Sequence, residues 1–309
     1  MRKLFTVLCV FSVTVLFGQI PVDTSYTPAS AYKKDVKKYP FIKIAQSTVS
    51  DKVIQENDIV YKTIEGRALH FDAFFNKESK KNPAVILIHG GGWKSGNKQH
   101  MHQMAQQIAQ AGYSCFCIEY RLSLEAKYPN AVFDVKDAIK YIKKHATEFN
   151  ANPKKVAVLG CSSGGQMAAL IGTTNGNKKF EEKSPLKTST DVQAIIDMDG
   201  VLAFHHPQSQ ESEVAAFWLG GNYKEQPQVW EEASALNHTD KNTPPVLFIN
   251  SEHIRFHAGR DEMIEILNRN GTYNETKTLD GSPHSFWFYE PWFNEITLYS
   301  VQFLDKIFK

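Results

Sequence analysis

Two hydrophobic periods alternate along this chain. Residues 84–89 (Ala-Val-Ile-Leu-Ile-His) form a continuous apolar run, as expected of a strand buried on both faces. Residues 59–64 and 69–75 read as a hairpin of strands around Glu65-Gly66. From there the pattern switches back and forth. Helical periodicity marks 99–110, which ends at Gly112, and 130–147, where Ala131, Val135, Ala138, Ile139 and Ile142 share one face. Strand patterns mark 113–119, 155–159, 192–198, 245–250 and 273–279. Further helices are expected at 162–171, from about Ala258 to Arg269, and at 292–308.

Strands alternating with helices predict an α/β fold: a mostly parallel, eight-stranded sheet covered by helices on both faces, with the opening hairpin antiparallel. In such sheets ligands bind beyond the carboxyl ends of the strands. Residues 201–240 interrupt the alternation and carry Phe204, His205, His206, Phe217, Trp218 and Trp230, so a small cap over the site is expected there. The catalytic domain is expected to span 58–309. Residues 19–57 are polar and irregular, and read as a linker followed by an N-terminal arm.

The N-terminus changes the picture of where the protein works. Arg2 and Lys3 precede an uncharged run from Leu4 to Phe17, the layout of a secretory signal peptide, and cleavage is expected near Gly18 or Gln19. The protein is therefore expected to be secreted or periplasmic, with no membrane span once the leader is removed. The formal charge of the 309-residue chain is +2, and loss of Arg2 and Lys3 brings it to zero. A near-neutral chain has no electrostatic footprint for nucleic acid. Lys33, Lys34, Lys37 and Lys38 form one basic cluster, read as part of a solvated lead-in. Cys115, Cys117 and Cys161 remain after cleavage, an odd number with no disulfide or zinc spacing.

Candidate chemistry sits at the strand ends. Gly160-Cys161-Ser162-Ser163-Gly164 fits G-x-S-x-G, between an incoming strand and an outgoing helix. The glycines permit a sharp turn that presents Ser162 as a nucleophile at a helix N-terminus. Upstream, His89-Gly90-Gly91-Gly92-Trp93 ends a buried strand. Its amides at Gly91 and Gly92, with that of Ser163, suit an oxyanion hole, where N–H groups converge on one developing charge. His284, in the loop after the last strand, is the expected base, ahead of His205, His206 and His253. The acid has two candidates of equal standing: Glu252, after the strand at 245–250, and Asp199, after the strand at 192–198. Asp261 ranks behind them. No metal or organic cofactor is required.

Residues 89–93, 160–165 and 283–287 (Pro-His-Ser-Phe-Trp) resemble the secreted bacterial carbohydrate esterases of the α/β-hydrolase superfamily, acetyl xylan and feruloyl esterases among them, and the wider hormone-sensitive-lipase-like esterases. Glu119-Tyr120-Arg121-Leu122, Tyr128-Pro129 and Asp134 are similar to the family's segment after the fourth strand, where the Tyr-Arg and Tyr-Pro pairs brace the nucleophile region. The resemblance spans roughly residues 58–308. Two departures stand out: Cys161 in the elbow, and Ser251-Glu252-His253-Ile254 in place of an Asp-x-x-Val-Pro loop. Residues 255–261, from Arg255 to Asp261, look like a subgroup signature, with Arg255 or Arg260 contacting substrate or anchoring the loop.

The resemblance implies a serine esterase acting on an acylated carbohydrate, with acetyl groups on xylan or pectin as the expected ester. Trp93, Trp218 and Trp287 are candidate walls of the substrate pocket, alongside Phe286. The competing readings are another serine hydrolase, such as an exopeptidase or lipid esterase, and a non-catalytic binding protein on the same fold.

Overall fold

The computed structural model describes residues 23–47, 50–210 and 213–309. The leader expected at 1–18 lies outside the described residues. The chain runs α1 (Pro28–Asp35), β1 (Lys43–Ile44), β2 (Val53–Ile64), β3 (Arg67–Asn76), β4 (Asn82–Ile88), α2 (His102–Gln110), β5 (Ser114–Ile118) and α3 (Asn130–Lys144). It continues through β6 (Ala151–Cys161), α4 (Ser163–Thr173), β7 (Ala194–Met198), α5 (Glu213–Leu219), α6 (Pro227–Ala233), β8 (Val246–Ser251), α7 (Arg260–Arg269), β9 (Asn274–Leu279), β10 (Tyr289–Glu290) and α8 (Trp292–Phe308).

Eight strands form one sheet in the order β2-β3-β5-β4-β6-β7-β8-β9. The β2–β3 and β3–β5 pairs are antiparallel, and every pair from β5–β4 onward is parallel. The apolar run of β4 lies at the centre, buried at every position. Its side chains divide by the two-residue period of a strand. Ile86 and Ile88 enter one core with Val135 and Ile139 of α3 and Met167 and Leu170 of α4. Val85 and Leu87 enter the other with Met104 and Ile108 of α2 and Phe303 and Leu304 of α8. Each such side chain contributes about 1.5–3 kcal/mol by leaving water, and the two cores fix the sheet between helical layers. Cys115, Cys117 and Cys161 are free thiols buried in the second core.

The segment read as linker and arm is ordered into packed structure over its described residues. β2 begins at Val53, and α1 is closed at its N-terminus by a reciprocal Thr27–Ser30 capping box. β1 pairs antiparallel with β10, bringing the arm onto the chain just after His284. Asp35 of α1 accepts a hydrogen bond from Tyr289 at 3.1 Å. Among the described residues no helix is long and apolar enough to cross a membrane.

Residues 201–240 carry α5 and α6 rather than a separate sheet. Trp218 and Trp230 are fully buried in the core shared with α3 and α4, which seats this segment on the sheet beside the strand ends.

Candidate active site

β6 runs directly into α4 through one residue, Ser162, whose backbone is held at φ 54°, ψ −122°. A non-glycine residue at positive φ is strained and persists only where the surroundings over-determine it. Here two close approaches do so. A Cβ on Gly160 would sit 2.0 Å from Gly164 O, and one on Gly164 would sit 2.2 Å from Ile88 O. Only glycine lets α4 start that close to β6 and β4. The amide of Ser162 donates to Met198 O at 2.7 Å, tying the turn to the end of β7.

The side chain of Ser162 meets His284. Its Oγ lies 2.9 Å from His284 Nε2, and His284 Nδ1 lies 2.8 Å from Asp199 Oδ2. Asp199 is fully buried and is held on three sides. Its Oδ1 accepts the Ser251 amide at 2.8 Å and the Asn250 side chain at 3.4 Å, and its Oδ2 accepts the Ser251 hydroxyl at 2.5 Å. Arg260 in turn donates to Asn250 Oδ1 at 3.1 Å. The imidazole of His284 is capped by Phe256, stacked at 3.5 Å between centroids, and by the edge of Trp287 at 5.0 Å. This burial pushes its pKa below the ordinary imidazole value; Asp199 opposes the shift, while Arg255 and His253 add to it.

Of the two carboxylates expected to serve His284, the structure brings Asp199 to it and not Glu252. Glu252 turns outward to Lys38 Nζ at 3.3 Å and the Tyr39 hydroxyl at 3.2 Å, both from the N-terminal arm. Asp261 is also directed away, paired with Arg260 at the start of α7. A second aspartate, Asp197, lies two residues before Asp199 and is fully buried. Burial raises its carboxyl pKa well above the usual range, and Oδ1 accepts the Gly200 amide at 2.9 Å.

The glycine-rich turn lies across Ser162. Gly91 and Gly92 adopt φ of 128° and 62°. Gly91 O accepts the amide of Ser95 at 3.0 Å and its hydroxyl at 3.1 Å. His89 anchors the turn: its Nδ1 lies 2.8 Å from Gly90 O, its ring stacks on Tyr120, and burial pushes its pKa down to about 3, so it is neutral. Tyr120 donates to His89 O at 2.9 Å, and Arg121 grips Asp134 with two bonds of 2.8 Å. The amide of Ser163 is the first N–H of α4 and has no acceptor within its helix.

A cavity of about 420 Å³ opens on these groups, lined by Gly91, Gly92, Trp93, Ser162, Ser163, Asp199, Val201, Val214, Phe256 and His284 among others. Of the three tryptophans expected to wall the pocket, only Trp93 lines it. Trp218 is stacked behind Trp93 at 4.8 Å and buried in the core, and Trp287 backs His284. Trp93 is itself pinned by a 3.0 Å bond from Nε1 to Gln166 Oε1. Pattern reading missed Phe256, Tyr26, Val201 and Val214. The adjacency of Phe256 to the singled-out Arg255 was the one available signal. Among the described residues no group of three or more His, Cys, Asp or Glu is gathered for a metal.

A strand–serine–helix turn, a histidine joined to a buried aspartate, and a parallel sheet with an antiparallel edge define the α/β-hydrolase class. Within it, the chain belongs to the BD-FAE family, whose model matches residues 71–265. It is similar to the probable carboxylic ester hydrolase LipM of Mycobacterium tuberculosis, 26% identical over 74% of this chain and 53% of that protein. Esterase LipC of the same organism is 26% identical over 61% of this chain and 46% of its own length. The chain thus spans about half the length of the curated relatives it matches. A solved structure of a truncated carbohydrate esterase from gut microbiota superposes with a TM-score of 0.72 at 25% identity, over 85% of this chain and 99% of that one. Esterase 2 of Thermogutta terrifontis shares the fold with a TM-score of 0.69 at 20% identity, over 84% and 96% of the two chains.

Proposed function

We propose that this protein is an exported serine carboxylic-ester hydrolase that removes acetyl or similarly short acyl groups from plant polysaccharides such as xylan or pectin. The observation that carries the reading is the continuous hydrogen-bond chain from Ser162 through His284 to Asp199, at 2.9 and 2.8 Å, on the wall of a cavity. The esterase names of the relatives support the reaction class, and the carbohydrate esterase among the structural neighbours supports an acylated sugar as substrate. The basic and apolar N-terminal pattern supports export.

The mechanism follows from the atoms. Ser162 Oγ attacks the ester carbonyl carbon while His284 Nε2 takes its proton. Asp199 holds Nδ1–H, which fixes the tautomer and stabilises the imidazolium as it forms. The carbonyl oxygen becomes an oxyanion facing the amides of Gly91, Gly92 and Ser163. Collapse expels the alcohol, which takes the proton from His284 and leaves an acyl group on Ser162. Water then attacks that acyl-enzyme by the same route, returning the carboxylic acid and free Ser162. The neutral state of His284, favoured by its lowered pKa, is the state the first step requires.

The test is hydrolysis of 4-nitrophenyl acetate, followed by acetate release from acetylated xylan, by wild type and Ser162→Ala. Wild-type turnover lost in the variant, with acetyl esters preferred to long-chain ones, is the expected result. A preference for long acyl chains overturns the polysaccharide assignment, and an inactive wild type overturns the esterase assignment.

A further inference from the structure

A second cleft, of about 730 Å³, adjoins the candidate active site and shares Tyr26, Arg255, Phe256 and His284 with it. Its volume is that of a site for a small molecule or a piece of a larger one. Its walls carry more cations than anions, whereas the chain as a whole is close to balanced at +2. Lys34, Lys38 and Arg255 line it, against one lining carboxylate, Asp35, which is already engaged by the Tyr289 hydroxyl. Glu252 stands beside the cleft and pairs with Lys38. Lys34 and Arg255 pair with no carboxylate among the described residues; Arg255 lies over the Phe256 ring at 4.4 Å, with a 3.4 Å contact to Gln210. Of the basic cluster read from the sequence as solvated, Lys34 near the end of α1 and Lys38 in the turn that follows it line the cleft.

Resting on the serine-esterase reading, we infer that this cleft is a subsite for a carboxylate on the alcohol side of the substrate, so that the ester is borne by an acidic sugar chain containing uronate residues. The side follows from the chemistry. His284 must hand its proton to the leaving oxygen, so the alcohol lies at His284 and continues past it. The space past His284 and Phe256, away from the glycine turn, is this cleft. A guanidinium engages a carboxylate with two parallel N–H donors, and the two ammonium groups add charge without fixed geometry.

The experiment compares kcat/KM for deacetylation of acetylated uronate-containing oligosaccharides with that for the same oligosaccharides after carboxyl reduction, in wild type and in Lys34→Gln/Arg255→Gln. Wild type is expected to favour the acidic substrate by about tenfold, the scale of a charge-assisted hydrogen bond, and to lose that preference as salt rises, since exposed charges are screened beyond about 8 Å at physiological ionic strength. The double variant is expected to bring the ratio near one. A wild-type ratio near one, or a ratio unchanged in the variant, overturns the subsite. Fluorophosphonate labelling of Ser162 runs alongside: no labelling overturns the esterase reading itself, whereas labelling with a ratio near one overturns the subsite alone.

Discussion

The phenyl ring of Phe256 lies flat on the imidazole of His284, 3.5 Å between centroids and 6° from parallel. Arg255 lies over the same phenyl ring at 4.4 Å. An apolar cover and a nearby positive charge both disfavour the imidazolium, which is why His284 titrates below the ordinary value. The proposed mechanism requires neutral His284, so activity is expected to be lost as pH falls through that pKa. The acid limb of kcat/KM for a neutral ester is therefore expected below pH of about 6.5. Phe256→Ala, which lets water reach the ring, and Arg255→Gln, which removes the charge, should each move the limb to higher pH. A pH–rate profile that stays put in both variants removes the assigned cause of the shift.

Two carboxylates competed for one role, and their variants should separate widely. Asp199→Asn keeps the shape but replaces the acceptor for Nδ1–H, and a loss on the order of 10⁴ in kcat is expected, the scale seen when a triad aspartate becomes asparagine. Glu252→Gln breaks only an exposed ion pair with Lys38, which solvent screens. It should leave turnover of a neutral ester within about fivefold. Steady-state kinetics on 4-nitrophenyl acetate check both, and the reverse ordering would exclude Asp199 as the orienting acid.

The difference between those two residues shows what was legible in the sequence. Ser162 and the glycine turn announce themselves because their chemistry needs adjacent residues, and β4, β6 and the helices around them follow from local periodicity. His284 is likewise marked by its place after β9, the last strand of the eight-stranded sheet. The acid is not local. Asp199 reaches His284 across 85 positions of sequence, and its orientation depends on Ser251, whose amide and hydroxyl both point at it. Glu252 is drawn off by Lys38 and Tyr39, more than 200 positions away. The arm itself was unreadable because α1 buries only Ala31 among its own residues, too little for an amphipathic pattern. Trp218 misled for a related reason: composition does not say whether an aromatic side chain faces a cavity or backs the residue that does.

Trp218 and Trp93 therefore have separable roles. Trp218→Ala removes a fully buried ring from the core and should cost about 3–5 kcal/mol, read as a fall in the denaturant midpoint. Trp93→Ala removes a ring that also lines the cavity and leaves Gln166 Oε1 without its donor. It should raise KM for the acetyl ester as well as lower stability. Equal effects on KM from both substitutions would contradict this division.

Gly164 tests the elbow. A Cβ there would lie 2.2 Å from Ile88 O and 2.7 Å from His89 O, both backbone atoms that cannot swing aside. Gly164→Ala must push α4 away from β4, at a cost typical of overpacking, about 1–3 kcal/mol. Because the displaced helix carries Ser163 and abuts Ser162, kcat should fall more than KM rises. A variant with wild-type stability and kcat would mean that the close approach is not needed.

The N-terminal arm touches both sides of the candidate site, and Tyr26 lies between them. Asp23 forms a bridge to Ser95 in the glycine turn. Three residues on, the Tyr26 ring packs against His100 at 5.7 Å and against Phe288, just past His284, at 5.9 Å. Tyr26 also lines both clefts, where burial raises the pKa of its hydroxyl. One side chain thus fills the angle between the glycine turn and the loop that carries His284. Tyr26→Ala is expected to open that angle, with destabilisation within the usual 0.5–3 kcal/mol of a point substitution. Its distinguishing effect is on binding: KM for an acetylated oligosaccharide, whose alcohol extends past His284, should rise more than KM for 4-nitrophenyl acetate, whose alcohol is small. Tyr26→Phe keeps the ring and should retain the wild-type ratio. Equal changes in the two KM values for Tyr26→Ala would reduce the arm to a structural brace with no part in holding the substrate.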